Sequence, residues 1–374
     1  MRTPLIAVVA LAAAGLAACE AEPSAEGGDG PIPVTATDDA CEVSVVEAEA
    51  GTVSFDVTNE GTKVTEFYVY AEGNRVMGEV ENIAPSATRE LIVELTAGEY
   101  ETACKPGMTG DGIRGDFTVT GEAEKLSDDE ALAEATDSYK DYVSSQSEAL
   151  LERTGEFVDA VKDEDIEGAK ELFPVARTHW ERIEPVAEIF GDLDPKVDGR
   201  EDNWPDGVDD PDFTGYHKLE YDLWVAKDVS NSGEIADQLM IDVQEVVDLA
   251  AEEDLSPLQL ANGAKELLDE VATSKITGEE DRYSHTDLWD FAANLEGSEA
   301  AIASLRPALE ERDPDLVAEL DEKFAGAWDA LEKHRVDDGW QLWDELSESE
   351  LRDLSDAINA LGEPVSDVAG VVAE

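Results

Sequence analysis

The hydrophobic pattern of this chain changes at Ser127, and this change limits the fold to two successive domains of different class. Before Ser127, short alternating or β-branched runs are separated by turn residues, which predicts a β-sandwich over residues 32–121. After it, Ala- and Leu-rich segments of helical length predict an all-α helical bundle over residues 122–374. The predicted strands cover residues 43–46, 51–58, 65–71, 87–95, 98–104 and 113–120. The predicted helices cover residues 128–161, 165–190, 215–226, 231–251, 256–272, 285–296, 298–311, 313–332 and 347–361.

The first 31 residues have the composition of an export and anchoring signal. Arg2 precedes an apolar run over residues 5–16, which is too short to span a membrane as a mature helix. The sequence LAAC that ends at Cys19 resembles a lipoprotein cleavage site, which predicts a signal peptide over 1–18 and lipidation of Cys19. Residues 19–31 are polar and Gly-rich and are predicted to form a flexible tether. We therefore expect an exported protein held by lipid on the outer face of the cell membrane, with an ordinary secretory signal as the alternative.

The excess of acidic over basic residues argues against nucleic acids as partners and favours cations. The chain has 91 Asp and Glu against 26 Lys and Arg, which gives a net charge of −65. Such a surface repels phosphates, so nucleic-acid binding is not expected, and it attracts cations. The hydrophobic content of 42% is sufficient for packed cores. Most of the carboxylates are explained equally well by adaptation to a salty environment, where salt screens their repulsion.

Two segments of the predicted helical domain place potential metal ligands three residues apart. His217 and Glu220 form one pair, directly after Gly215, and Glu181 and Glu184 form the other. Side chains at positions i and i+3 share a helix face, and helix bundles build metal sites from such pairs. The alternatives are a structural, hydrogen-bonded histidine in the first pair and a solvated helix face in the second. The histidine pair is the more specific signal because the chain has only four histidines.

A resemblance to a known family rests on the same segments. The pattern G-x-H-x-x-E over residues 215–220 and the longer segments 179–185 and 283–288 resemble the imelysin, or M75 peptidase-like, family. Over nearly its whole length the chain resembles the lipoproteins of EfeUOB-type iron uptake systems within that family. The resemblance implies a metal site in the helical domain. Its residues are Glu181, Glu184, Asp198, His217 and Glu220, with His285 as a direct ligand or as a support for one.

The predicted sandwich resembles a cupredoxin without its usual copper ligands. Residues 52–59 resemble a cupredoxin core strand, and the loop 104–108 lies where cupredoxins hold copper. All four histidines lie at position 179 or later, so the two imidazoles of a blue-copper centre are missing. The resemblance implies a second site for copper or a second iron, with candidate ligands Cys41, Glu66, Cys104 and Met108. A Cys41–Cys104 disulfide is the favoured alternative, because export permits it, and it excludes thiolate ligands.

The resemblance implies a binding protein and not an enzyme. Such a protein captures Fe²⁺ or Fe³⁺ outside the membrane and delivers it to an EfeU-like membrane iron permease, with an EfeB-like haem peroxidase as a further partner. Carboxylates with imidazole also suit zinc, so a zinc-dependent M75-type metallopeptidase is one alternative. However, His217 and Glu220 lack the second histidine of the H-E-x-x-H motif. The other alternative is a lipoprotein that binds an acidic polysaccharide through a bridging cation.

Overall fold

The computed structural model describes residues 30–374 except Glu124 and Asp192. The predicted signal peptide 1–18, the lipidation site Cys19 and nearly all of the tether 19–31 lie outside the described residues. Strands occupy the chain as far as Thr120, and helices dominate it from Glu130 onward. The predicted fold class, a β-sandwich followed by an all-α domain, is confirmed.

Nine strands form the two sheets of the sandwich. They are β1 Ile32–Ala36, β2 Cys41–Val43, β3 Glu47–Glu49, β4 Gly51–Asn59, β5 Thr65–Tyr70, β6 Val76–Ile83, β7 Thr88–Leu95, β8 Gly98–Cys104 and β9 Ile113–Thr120. One sheet has the order β2-β1-β4-β7 and the other β3-β9-β8-β5-β6. Strand β4 shows why the sheets pair, because every second residue from Val53 to Asn59 is buried and the residues between them are not. Phe55, Phe67 and Phe117 meet at the centre of this core, with ring centroids 5.3 and 5.4 Å from Phe55.

Ten α-helices make up the described part of the second domain. They are α1 Glu130–Lys162, α2 Ile166–Glu181, α3 Glu184–Glu188, α4 Asp194–Asp198, α5 Gly215–Tyr221, α6 Gly233–Glu252, α7 Pro257–Thr273, α8 Asp287–Arg312, α9 Pro314–Leu331 and α10 Glu348–Ala373. Helix α1 packs against α2, α6 and α8, while α10 packs against α7 and α9. Within the described ranges, no helix has the length and apolar character needed to cross a membrane.

Side-chain caps fix where the long helices begin. The carboxylate of Asp129 accepts hydrogen bonds from the backbone N–H groups of Ala131 and Leu132 at the start of α1. Ser256 with Gln259 and Ser347 with Glu350 form reciprocal capping boxes at the starts of α7 and α10. These caps satisfy backbone donors that the first helical turn leaves without partners.

The structure differs from the predicted elements in several places, three of which have identifiable reasons. The predicted helices 285–296 and 298–311 are one helix, α8, because Gly297 does not break it but allows close packing. A Cβ at Gly297 would lie 2.7 Å from the backbone oxygen of Arg182. Strand β6 was not predicted because its Glu79 is buried without facing the sandwich core. The predicted helix 165–190 is divided into α2 and α3, with Pro185 in the first turn of α3.

Hydrogen bonds join the two domains directly. The backbone N–H of Val76 donates to the oxygen of Ile189 over 3.1 Å, across the domain boundary. The Asn262 side chain donates to the backbone oxygen of Ile92 over 3.0 Å. Arg75 of the sandwich forms an ion pair with Glu253 of the helical domain. These contacts hold the outer face of β5 and β6 opposite the ends of α3, α4 and α7.

Candidate metal centre

A sharp turn brings the predicted histidine to the end of a neighbouring helix. Gly215, the first residue of α5, has a φ of 77° in the left-handed region that favours glycine. A Cβ at this position would lie 2.2 Å from the backbone oxygen of Val197 in α4. The close approach of α5 to α4 sets the His217 side chain beside Asp198. Both side chains are buried.

Glu220 holds the imidazole of His217 in place. Its Oε2 atom lies 3.0 Å from His217 Nδ1. Its Oε1 atom accepts hydrogen bonds from the backbone N–H of Tyr283 at 3.0 Å and from the N–H and hydroxyl of Ser284, each at 2.8 Å. The sequence predicts Glu220 as a direct ligand, and with His217 and Asp281 it forms one of the groups that could hold an ion. Its four contacts also orient the imidazole.

The other ring nitrogen of His217 has no hydrogen-bond partner among the described residues, although it is buried. This Nε2 atom lies 3.5 Å from Asp198 Oδ1 and 3.6 Å from Glu280 Oε1. Burial and the nearby Arg177 lower the pKa of His217, but the surrounding carboxylates, Asp198 first among them, outweigh both and raise it to about 9. The imidazole is therefore protonated at neutral pH, and a cation that binds at the buried Nε2, next to two carboxylates, takes the place of its proton.

The second predicted pair lies on the two sides of a helix break. Glu181 ends α2 and Glu184 begins α3, and oxygens of both gather with Asp198 within 4.8 Å of one another. The Asn294 amide donates to the Oε2 atoms of Glu181 and Glu184, each at 3.2 Å. Burial raises the pKa of Glu181 to about 7, and burial together with the charge of Glu181 raises that of Glu184 further. Four predicted residues, Glu181, Glu184, Asp198 and His217, therefore converge.

Two fully buried cations share this cluster of carboxylates. The guanidinium of Arg177 forms ion pairs with five carboxylates, those of Glu181, Asp198, Glu280, Asp281 and Asp290. The ammonium of Lys275 lies within 4 Å of four carboxylates, those of Glu181, Glu184, Glu270 and Glu280. Arg200, at the edge of the site, also pairs with Glu280. Burial would raise the pKa of Glu280, but Arg200 and Lys275 hold it well below its ordinary value.

Sequence reasoning missed Glu280, Arg177 and Lys275. Arg177 is four residues before Glu181, a spacing at which opposite charges meet on a helix, and this was a usable signal. Glu280 follows Gly278 in a connection between helices, where no periodicity marks a side chain as inward. It reaches the site because the chain turns at Gly278, which has a left-handed φ of 76°.

His285 is not part of the cluster, and its prediction as a ligand is not supported by this geometry. It belongs to none of the three groups of potential ligands in the described residues. Its backbone has a left-handed φ of 61°, its N–H donates to Asp281 and its oxygen accepts from Trp343. The segment contributes through Ser284 instead, because that residue and not His285 points toward Glu220.

The structure separates the predicted ligands of the second site. Cys41 and Cys104 form a disulfide, so neither offers a thiolate. Cys104 pairs with Phe67 and lies with it in the core, whereas the adjacent Glu66 lies on the opposite face of β5. Glu66 and Met108 line the space between the domains. The predicted group of four therefore does not converge on one point.

A cleft of about 470 Å³ connects the site with the surface and has walls from both domains. From the helical side it is lined by Glu184, Asp198, Arg200, Glu270 and Glu280. From the sandwich it is lined by Glu66, Tyr68, Glu79, Glu81 and Met108. Lys105 and Arg114 also line the cleft from the sandwich, but carboxylates outnumber cationic side chains in its walls, which favours entry of a cation over an anion.

The donor set suits a hard or borderline cation. It offers one imidazole nitrogen and several carboxylate oxygens, which bind iron, manganese and zinc better than soft Cu(I). None of the three ligand groups in the described part of the chain contains a second histidine. The arrangement therefore differs from the two-histidine sets of zinc peptidases.

Comparisons with known proteins agree with this division of the chain. A family model described as imelysin matches residues 135–368, and one described as a cupredoxin-like domain matches residues 5–119. A protein of Escherichia coli strain K12 named "Iron uptake system component EfeO" is 39% identical over 345 residues, which cover 91% of each chain. The chain belongs to the EfeO family. The EfeO proteins of Escherichia coli O157:H7 and Shigella flexneri match with the same identity and coverage. The predicted resemblance to this family and its two domain types is confirmed.

Proposed function

We propose that this EfeO-family chain is the extracytoplasmic iron-binding component of an EfeUOB-type iron uptake system. The observation that carries the proposal is the partnerless, buried Nε2 atom of His217 beside the carboxylates of Asp198 and Glu280. The names of the relatives, each an iron uptake system component, support iron as the cargo. In this role the protein binds iron and does not catalyse a reaction.

The ion is proposed to bind between the histidine and the carboxylates at the inner end of the cleft. His217 Nε2, Asp198 and Glu280 supply one side, and Glu181 and Glu184 supply the other. Glu220 fixes the orientation of the imidazole from behind. Oxygen-rich ligation of this kind suits both Fe²⁺ and Fe³⁺. The carboxylates of the cleft walls raise the local concentration of cations near the entrance.

Export, anchoring and partners complete the proposal. Lipidation of Cys19 would hold the protein on the outer face of the membrane, close to a permease. A membrane iron permease would receive the ion, and a haem peroxidase is the further partner expected in a system of this type. The sandwich, which the disulfide leaves without thiolate ligands, would serve as a wall of the iron cleft.

The test is iron binding by the purified protein, measured by calorimetry with Fe²⁺ under anaerobic conditions and with Fe³⁺ supplied as its nitrilotriacetate complex. We expect His217→Ala and Glu184→Gln each to weaken binding by about tenfold or more, because each removes a ligand. Glu319→Gln, an exposed substitution on α9 with the same loss of charge, is the control and should bind like the wild type. Unchanged affinity in both site variants would contradict the proposal. A strong preference for Zn²⁺ in competition would favour the peptidase alternative.

A further inference from the structure

The side chain of Lys275 is buried inside the proposed iron site. Lys275 begins a short 3₁₀ turn, Lys275–Thr277, after the end of α7, and its side chain has no exposed surface. Burying a lysine is costly unless its charge is matched by close partners. Three of its four carboxylate partners, Glu181, Glu184 and Glu280, are groups that the proposed function assigns to iron.

The ammonium and the iron ion draw on the same carboxylates. Lys275 Nζ lies 3.3 Å from Glu181 Oε2 and 3.5 Å from Glu184 Oε2. Its closest acidic partner is Glu270, at 3.1 Å, which lines the cleft and lies farther out. Glu270 is outside the three groups of potential metal ligands found in the described residues. The lysine therefore has one partner that an ion in the site would leave free.

We propose that Lys275 is an internal counter-ion that occupies the empty site and that iron displaces from Glu181 and Glu184 toward Glu270. Two cations that share these carboxylates repel each other strongly at such short distances. The ammonium carries one charge, so the carboxylates attract a divalent or trivalent ion more strongly and that ion displaces it. Na⁺ and K⁺ carry the same single charge as the ammonium and do not displace it. Lys275 is thus a residue that determines specificity, and it keeps the carboxylates paired when no iron is bound. This inference rests on the proposed function of the site.

The experiment compares Fe²⁺ binding by the wild-type protein and by Lys275→Met, which has a similar length and no charge. We expect Lys275→Met to lower the Kd by about tenfold or more, because iron no longer competes with the ammonium. The iron-free variant should melt at a lower temperature than the wild type, and iron should raise its Tm by more. Lys275→Arg keeps the charge and should not bind more tightly. Lys333→Met, an exposed substitution, is the control for the loss of one positive charge.

Each outcome separates this inference from the proposed function. If Glu184→Gln weakens iron binding but Lys275→Met binds no more tightly than the wild type, the counter-ion role is wrong and the iron site stands. If the wild type binds no iron, or if His217→Ala and Glu184→Gln both bind it as the wild type does, the proposed function fails and the counter-ion role fails with it. Should Lys275→Met not fold, Lys275→Gln provides the same comparison, because it keeps a donor toward the carboxylates without the charge.

Discussion

At the scale of single residues, the helical domain is organised around one buried guanidinium. Arg177 has no exposed side-chain surface and forms ion pairs with five carboxylates drawn from different parts of the domain. Burial opposes its charge, but these carboxylates, Asp198 first among them, raise the pKa of Arg177 well above its ordinary value. The residue therefore holds together groups that would otherwise repel one another.

Replacing Arg177 by Met should strongly destabilise the protein. The substitution leaves buried carboxylates without their shared cation, and breaking a buried ion pair costs about 3–5 kcal/mol. Urea unfolding monitored by circular dichroism measures the change in the free energy of unfolding. Arg352→Met removes an exposed arginine from a loose ion pair with Glu348 and should change this free energy by less than about 0.5 kcal/mol. Equal effects of the two substitutions would show that the cluster around Arg177 is not structural.

The predicted ligands that reach the site come from local spacing signals, except Asp198, which the family resemblance implies. Glu181 and Glu184 lie three positions apart, as do His217 and Glu220. Glu181, Glu184 and His217 all reach the site. Glu280 and Lys275 lie about 100 residues from Arg177 along the chain, and their proximity comes from tertiary packing that no local pattern records. His285 was predicted from the family resemblance of its segment, and it lies outside the three groups of potential ligands in the described residues.

At the scale of elements, the site is built where helices stop. Glu181 and Glu184 lie at the break between α2 and α3, Asp198 ends α4 and His217 lies in the first turn of α5. Short helices with abrupt ends allow several side chains to converge from different directions. Pro185 lies at one of these breaks, in the first turn of α3, a position that proline favours. The start of α5 depends on Gly215.

Substitution of Gly215 by Ala should weaken both the fold and iron binding. The added Cβ would overlap the backbone oxygen of Val197, and the left-handed φ adds strain, which together cost about 1–3 kcal/mol. The displaced α5 would carry His217 away from Asp198. Thermal unfolding and iron calorimetry measure the two effects. Gly233→Ala, at the start of α6 with no atom within 4 Å of the added Cβ, is the matched control and should leave both unchanged or slightly raise the Tm. A Gly215→Ala variant that matched this control would contradict the packing argument.

At the scale of the whole molecule, both domains contribute carboxylates to the walls of the cleft between them. Glu66 of β5 is 4% exposed, and burial raises its pKa to about 7, against the attraction of Lys105. Glu81 on the neighbouring strand and Glu270 across the cleft also face it. The sequence predicted both domains but not this cavity, because the pairing of two surfaces leaves no periodic signal in either of them.

The stability contribution of Glu66 should depend on pH. Its folded pKa lies above the unfolded value of 4.5, so the folded state holds the extra proton below about pH 7 and ionised Glu66 destabilises it above. Glu66→Gln should therefore raise the Tm relative to wild type at pH 8, by an amount corresponding to about 1–3 kcal/mol, and have little effect at pH 5. Calorimetric unfolding at the two pH values measures this difference. Glu60→Gln, at an exposed position of the same domain, should change neither Tm. A similar Tm change at both pH values would contradict the argument.

The hydrogen bond from Val76 to Ile189, the bond from Asn262 to Ile92 and the ion pair of Arg75 with Glu253 fasten the two domains on either side of the cleft. Binding proteins that close around a hinge change their shape when the ligand binds. Two domains fastened in this way are expected to keep one shape with and without bound iron. In the proposed function, the charge at the mouth of the cleft differs between the empty and the loaded protein. A bound ion neutralises carboxylates and moves the ammonium of Lys275 outward. The loaded and the empty protein would then differ at this mouth in electric field and not in shape.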